Sequence, residues 1–127
     1  MISDTTRNPV FRLTLICASP RRGGNTETLL DRAGSAAADA GATVSKIILN
    51  DLTIAPCQEC AEPDRRGRCR FVDGMEEVYD ALDDADGIIL GSPVFFGTVS
   101  AQAKAMIDRF QCRWIKRRSE EATGRLI

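Results

Sequence analysis

The stretch VFRLTLICASPRRGGNT, Val10 to Thr26, sets the fold. Val10–Cys17 is rich in β-branched and large apolar residues and stops at Ser19-Pro20, the pattern of a buried strand. Gly23-Gly24-Asn25 is turn chemistry. Leu29, Leu30, Ala33, Ala36, Ala37 and Ala40 then fall on one face of a helix over residues 26–40. Gly41 closes that helix as the glycine just past its end.

Outward from this unit the pattern repeats. TVSKIIL, Thr43 to Leu49, reads as a second strand whose early polar positions suit a sheet edge. Residues 50–72 have no clear period, carry Pro56, Pro63, Gly67 and three cysteines, and read as a long functional loop. Asp73 followed by Glu76 is an acidic capping-box pair, opening a helix whose Met75, Val78, Tyr79 and Leu82 face the core. After Asp86-Gly87, the run Ile88-Ile89-Leu90 suits a parallel strand covered on both faces. Gly91-Ser92-Pro93 begins a second strand-end loop that runs to Val99. From Ser100 a third helix is expected to carry Ala103, Met106, Ile107, Phe110 and Trp114 inward.

Strand, helix, strand, helix, strand, helix predicts an α/β fold with a doubly wound parallel sheet. Right-handed crossovers place the three strands in the order 2-1-3. That order leaves the third strand at an edge, although its sequence is that of a covered strand, and an apolar edge invites aggregation. The expectation is one domain over residues 1–127, incomplete at its C-terminus or completed by a partner.

Composition narrows the function. The chain has 127 residues, a hydrophobic fraction of 43% and a charged fraction of 28%, as in ordinary globular domains. Seventeen basic and 18 acidic residues give a net charge of -1, so no field draws in nucleic acid or an anionic membrane. No apolar run approaches the roughly 20 residues needed to span a bilayer. Nor do residues 1–9 have the apolar core of a secretory signal, so a cytoplasmic location is expected. There is no histidine, which removes the commonest general base and leaves the chemistry to a bound cofactor.

In such a sheet, ligands bind beyond the carboxyl ends of the strands, where the order reverses. The Ser19 and Ser92 loops both lie there. Hydroxyls of Ser19 and Thr26 and backbone amides around Gly24 to Thr26 could converge on a phosphate, helped by the helix dipole and by Arg21. Gly23 and Gly24 permit close backbone approach. The stretch is neither a dinucleotide fingerprint nor a Walker A loop. Taken alone, the same residues also fit a plain turn and helix cap.

Ala18-Ser19-Pro20-Arg21-Arg22-Gly23-Gly24-Asn25-Thr26, followed by Leu29-Leu30, resembles the opening loop of the NADPH-dependent FMN reductase superfamily. Gly91 to Gly97 (GSPVFFG), with Lys104, Asp108 and Arg109, resembles that superfamily's second signature. The nearest branch is the iron-sulfur flavoproteins and multimeric flavodoxins, and the likeness runs from about Phe11 to Trp114. It implies a flavodoxin-like fold and an FMN cofactor. Ser19, Arg21, Gly24, Asn25 and Thr26 would hold the phosphate; Pro93, Val94, Phe95, Phe96 and Gly97 would line the isoalloxazine ring. It also implies a homo-oligomer and an NAD(P)H-dependent flavoprotein oxidoreductase, passing electrons to a quinone, another flavin or an iron-sulfur carrier. An FMN-binding electron-transfer module without its own small substrate, and a cofactor-free interaction protein, remain open beside it.

Burial under the third helix is expected for one of Phe95 and Phe96. The basic residues Arg113, Lys116, Arg117 and Arg118 are read as a solvated face near a helix C-terminus. In the iron-sulfur flavoproteins a compact four-cysteine motif occupies the loop between the second strand and second helix. By spacing this chain offers Cys57, Cys60 and Cys69, with Pro63 at the third ligand position. A cubane cluster takes four thiolates, so structural thiols are the expected reading. Zinc held by the three cysteines with Glu59 or Asp64, or a Cys57–Cys60 thiol couple, are alternatives. Cys17 is expected in the core and Cys112 as a helix thiol without special role.

Overall fold

A computed structural model describes residues 9–60 and 67–124. Within them β1 (Arg12–Cys17) leads to α1 (Asn25–Asp39), β2 (Thr43–Ile48) and a short 3-10 turn (Leu49–Asp51). The chain continues through α2 (Met75–Asp84), β3 (Gly87–Gly91), α3 (Ala101–Asp108) and α4 (Gln111–Ala122). The sheet is parallel, in the order β2-β1-β3. Leu13 sits opposite Val44 on one side and Gly87 on the other, and Cys17 opposite Ile48 and Gly91.

As the middle strand, β1 is buried on both faces and its residues alternate between two cores. Leu13, Leu15 and Cys17 meet Leu30 of α1. Ile16 and Ala18 join Ile47, Met75, Val78, Tyr79 and Met106 on the opposite face, under α2 and α3. Helix α1 lies close to the sheet at Gly34, where a Cβ would stand 2.8 Å from the Leu15 methyl. Its buried stripe is therefore Leu30 and Gly34, whereas Leu29, expected inward, is 70% exposed.

Strand β3 occupies the edge, as the order requires, and its apolar run stays open: Ile88 is 51% exposed. Covering on both faces, expected from the run of three apolar residues, is absent among the described residues.

The expected third helix is two helices. Arg109 and Phe110 close with i-3 bonds to Met106 and Ile107 of 3.1 and 3.0 Å, and the axis breaks there. The break turns the Arg109 side chain into the interior, where it is 1% exposed. Ala103 and Met106 are buried as expected, and Phe110 packs edge-on against Tyr79 with centroids 5.5 Å apart. Ile107 and Trp114, expected inward, are left facing outward. The basic cluster is not at a helix end either. Arg113 reaches back to Asp83 of α2, Lys116 and Arg117 pair with Glu120 and Glu121, and the last turn of α4 carries no basic residue.

Candidate functional site

Two loops leave the carboxyl ends of β1 and β3 side by side, and the backbone ties them together. Ala18 N–H donates to the Gly91 carbonyl at 2.8 Å, and Ser100 Oγ donates to the Ala18 carbonyl at 2.6 Å. Ser100, completely buried, also caps α3 by accepting from Ala103 N–H. Ser92 Oγ accepts from Ser100 N–H at 2.9 Å, which anchors the start of the second loop.

In the first loop, Ser19 is buried and its hydroxyl is engaged in the turn, with Arg21 N–H donating to it at 3.2 Å. Gly23 has φ +67°, a left-handed conformation that favours glycine, and Gly24 is the N-cap of α1. No side chain caps that helix, so its first-turn amides, at Asn25 and Thr26, keep their donor capacity. Asn25 is exposed and Thr26 partly so. Thr26 abuts the end of β3, since a Cβ on Gly91 would meet its methyl at 3.0 Å. Arg21 is exposed and makes no ion pair among the described residues. An uncapped helix start with glycines, a hydroxyl and a free-standing arginine around it has the chemistry to accept an anion.

Sequence reasoning missed the residue that shapes this loop. Glu27 is buried, and its carboxylate accepts Gly23 N–H at 2.7 Å and Lys46 Nζ at 3.0 Å. The signal was present: a glutamate at the third helical position is where a capping box closes. Gly23 N–H foremost, then Lys46, hold its carboxyl below the usual range against the opposing effect of burial. A depressed folded value means the loop's support is complete above the ordinary glutamate pKa of about 4.3 and fades as pH falls through the lower folded value. The Gly23 amide proton followed by NMR should therefore titrate with a midpoint below about 4.3. A midpoint at or above that value would remove the Glu27 contact.

The second loop carries a tight turn. Phe95 and Thr98 exchange bonds of 3.0 and 3.1 Å around Phe96 and Gly97, both at positive φ (49° and 76°). This two-residue turn at left-handed angles suits Gly97 and strains Phe96. It lifts Phe96 fully clear of the surface, while Phe95 is 45% exposed and Val94 is exposed. Neither phenylalanine is buried under a helix, contrary to expectation. Pro93 is half-buried between this turn and the sheet. The apolar edge they make lies on the loop bonded to the first one through Ala18, Gly91 and Ser100.

The cysteine loop is strapped down by Arg109. Its guanidinium donates to both oxygens of Asp73 (2.7 and 3.1 Å), to the Ala55 carbonyl at 2.8 Å and to the Phe71 carbonyl at 3.3 Å. Both ends of the loop thus close on one side chain. Asp73 does bond Met75 N–H at the start of α2, but Glu76 goes to Arg68 and does not complete the expected capping box. Burial pushes the Asp73 carboxyl up, yet bonds from Arg109, Ala55 and Met75 overcome it and hold it below its ordinary value.

Above this strap is a cavity of about 110 Å³, room for several waters. Cys57, Cys60 and Cys69 line it, and so does Cys112 from α4. Cys112 was expected to have no special role. Pro63 and Asp64 lie outside the described residues. Cys17 is in the core, as expected. Among the described residues, no three cysteine or carboxylate side chains stand close enough to hold one ion together.

With both strand-end loops placed, comparison with known proteins agrees with the two signatures. Residues 11–127 match the family described as NADPH-dependent FMN reductase. The chain belongs to that family. This FMN reductase family member is 44% identical over 94 residues to an iron-sulfur flavoprotein of Methanocaldococcus jannaschii, covering 74% of this chain and 49% of that one. An iron-sulfur flavoprotein of Methanosarcina thermophila is 35% identical over 99 residues, covering 78% and 52%. The family member therefore spans about half the length of the curated relatives it matches. A flavone reductase structure superposes with a TM-score of 0.67 at 24% identity, over 90% of this chain and 36% of that one, and shares the flavodoxin-like fold. No described helix is long and apolar enough to cross a membrane.

Proposed function

We propose that this family member binds FMN across its two tied loops and acts as an NAD(P)H-dependent oxidoreductase. The observation that carries the reading is the uncapped start of α1 beside Ser19 and Arg21, bonded through Ala18 and Gly91 to the exposed Val94–Gly97 edge. Asn25 and Thr26 would bind the phosphate with their amides and side chains, Gly24 would allow its close approach, and Arg21 would add charge. Pro93 to Gly97 would support one face of the ring and leave the other to the co-substrate. Flavin supplies the hydride chemistry when bound, and the residues position it and shield it from water. With no histidine in the chain, no protein acid or base is assigned.

The acceptor proposed is a quinone, a second flavin or an iron-sulfur carrier, small molecule or protein. A homo-oligomer working in the cytoplasm fits five free cysteines and a near-neutral charge. The relatives' name also brings an iron-sulfur group to the reading, for which the cysteine-lined cavity is the candidate seat. Its fit rests on the thiols lining one cavity and on the buried Arg109, which also lines it and whose Nε–H has no acceptor among the described residues.

Fluorescence titration with FMN tests the flavin site. Asn25→Ala and Thr26→Ala are each expected to weaken binding by about 1–3 kcal/mol, as for lost charge-assisted bonds. Normal binding by both variants would move the phosphate elsewhere. Stopped-flow mixing with NADPH then separates the reductase from a pure electron carrier, which would be reduced quickly only by a protein donor.

A further inference from the structure

We infer that Cys112 is the fourth thiolate of a cubane iron-sulfur site whose other three are Cys57, Cys60 and Cys69, with Arg109 as the hydrogen-bond donor beside it. The inference rests on the iron-sulfur part of the proposed function and names how this chain meets a demand its sequence leaves open. A cubane cluster takes four thiolates, and the loop supplies three because Pro63 stands where a third would fall by spacing.

Two independent observations carry it. The first is placement. Cys112 enters from α4, far along the chain, and lines the same cavity as the three loop cysteines. Its thiol donates to the Gly67 carbonyl at 3.1 Å, which holds α4 against the loop segment that bears Cys69. The second is an orphaned donor. Arg109 also lines the cavity, is 1% exposed, and its Nε–H has no acceptor among the described residues. Burying such a group unsatisfied is costly, and proteins rarely leave one without a partner. The other buried orphan, Arg113 Nε, belongs to a residue that does not line the cavity. An anionic, sulfur-rich occupant would accept that hydrogen bond, and the guanidinium would offset its charge.

The four sulfurs line one cavity, but among the described residues no three of them stand close enough to share one ion, so they must draw together on loading. The Cys57 turn is prepared for thiolate: Glu59 N–H already donates to Cys57 Sγ at 3.4 Å, with Glu59 held at φ +50°. Iron and sulfide enter as reagents. Each cysteine releases its proton to solvent as its sulfur–iron bond forms, and the added thiol, oxidised to its disulfide, reduces the part of the ferric iron that the cubane holds as ferrous. Cys112 then ceases to donate to Gly67.

The test is anaerobic reconstitution of the full chain with ferric iron, sulfide and a thiol reductant. Bound iron and sulfide are measured, together with the electron paramagnetic resonance of the dithionite-reduced protein. The wild type should hold about four irons and four sulfides per chain. Cys112→Ala and Cys112→Ser should each hold less than half the wild-type iron and lose the signal. Cys17→Ala, at an equally buried cysteine outside the cavity, should keep both. Adding Pro63→Cys to Cys112→Ala should bring the iron back. Wild-type iron and signal in both Cys112 variants would overturn the assignment and leave the cluster reading standing. Loss that Pro63→Cys does not recover would also overturn it, because the loss would then report folding. A wild type that takes up no iron would overturn it together with the cluster reading, while FMN titration of the same sample reports separately on the flavin site.

Discussion

Arg109→Met is expected to destabilise the fold by about 3–5 kcal/mol in urea denaturation, the range for breaking a buried ion pair from one side. The guanidinium is almost fully buried and holds both Asp73 oxygens and two backbone carbonyls. Methionine fills most of the volume but leaves a half-buried carboxylate without its counter-charge and the Ala55 and Phe71 carbonyls without a donor. The two ends of the cysteine loop should then separate from α3. Because the Asp73 carboxyl lies below its ordinary value, the pair's contribution is complete above about pH 3.9 and is lost as pH falls through the lower folded value. The variant should accordingly lose less stability than the wild type on acidification across that window. Asp73→Asn in the Arg109→Met background should cost less than the two single changes added together. A loss below about 1 kcal/mol for Arg109→Met would place the pair with screened surface bridges.

Ser100→Ala is expected to cost about 2–4 kcal/mol. Losing the N-cap of α3 accounts for roughly 1 kcal/mol, and leaving the Ala18 carbonyl without a donor for a further 1–3 kcal/mol. Ser100 is completely buried, so water does not replace either bond. The same hydroxyl joins the two loops proposed to hold FMN, so the variant should also bind FMN more weakly. Ser100→Thr, which keeps the oxygen, should recover part of both losses. A change within about 0.5 kcal/mol in either direction would mean that the contact between α3 and β1 carries no weight.

Much of the fold was legible because it rests on local pattern. The unbroken burial of Leu13 to Cys17 follows from a largely apolar strand in the middle of a sheet. The order β2-β1-β3 follows from crossover handedness, and β3 lies at the edge where that order puts it. Leu29 shows where pattern misleads. Gly34, with no side chain to register in a hydrophobic period, lets α1 sit so close to Leu15 that the helix turns Leu29 outward. The third helix misled for another reason: Arg109 is drawn inward by Asp73, 36 positions earlier, and no helical period encodes that partner.

The amino-acid sequence by itself determined the succession of strands and helices, the parallel sheet, and two glycine-bearing loops at neighbouring strand ends. The elements and loops depend on nearby residues, where hydrophobic period and turn chemistry are direct physical causes, and the sheet order follows from the handedness of the crossovers. Only the tertiary structure decided that Cys112 shares a cavity with the loop cysteines and that Arg109 fastens both ends of their loop. These are contacts between distant segments or specific side-chain directions. They exist because packing closes the chain on itself, and spacing along the sequence carries no record of them.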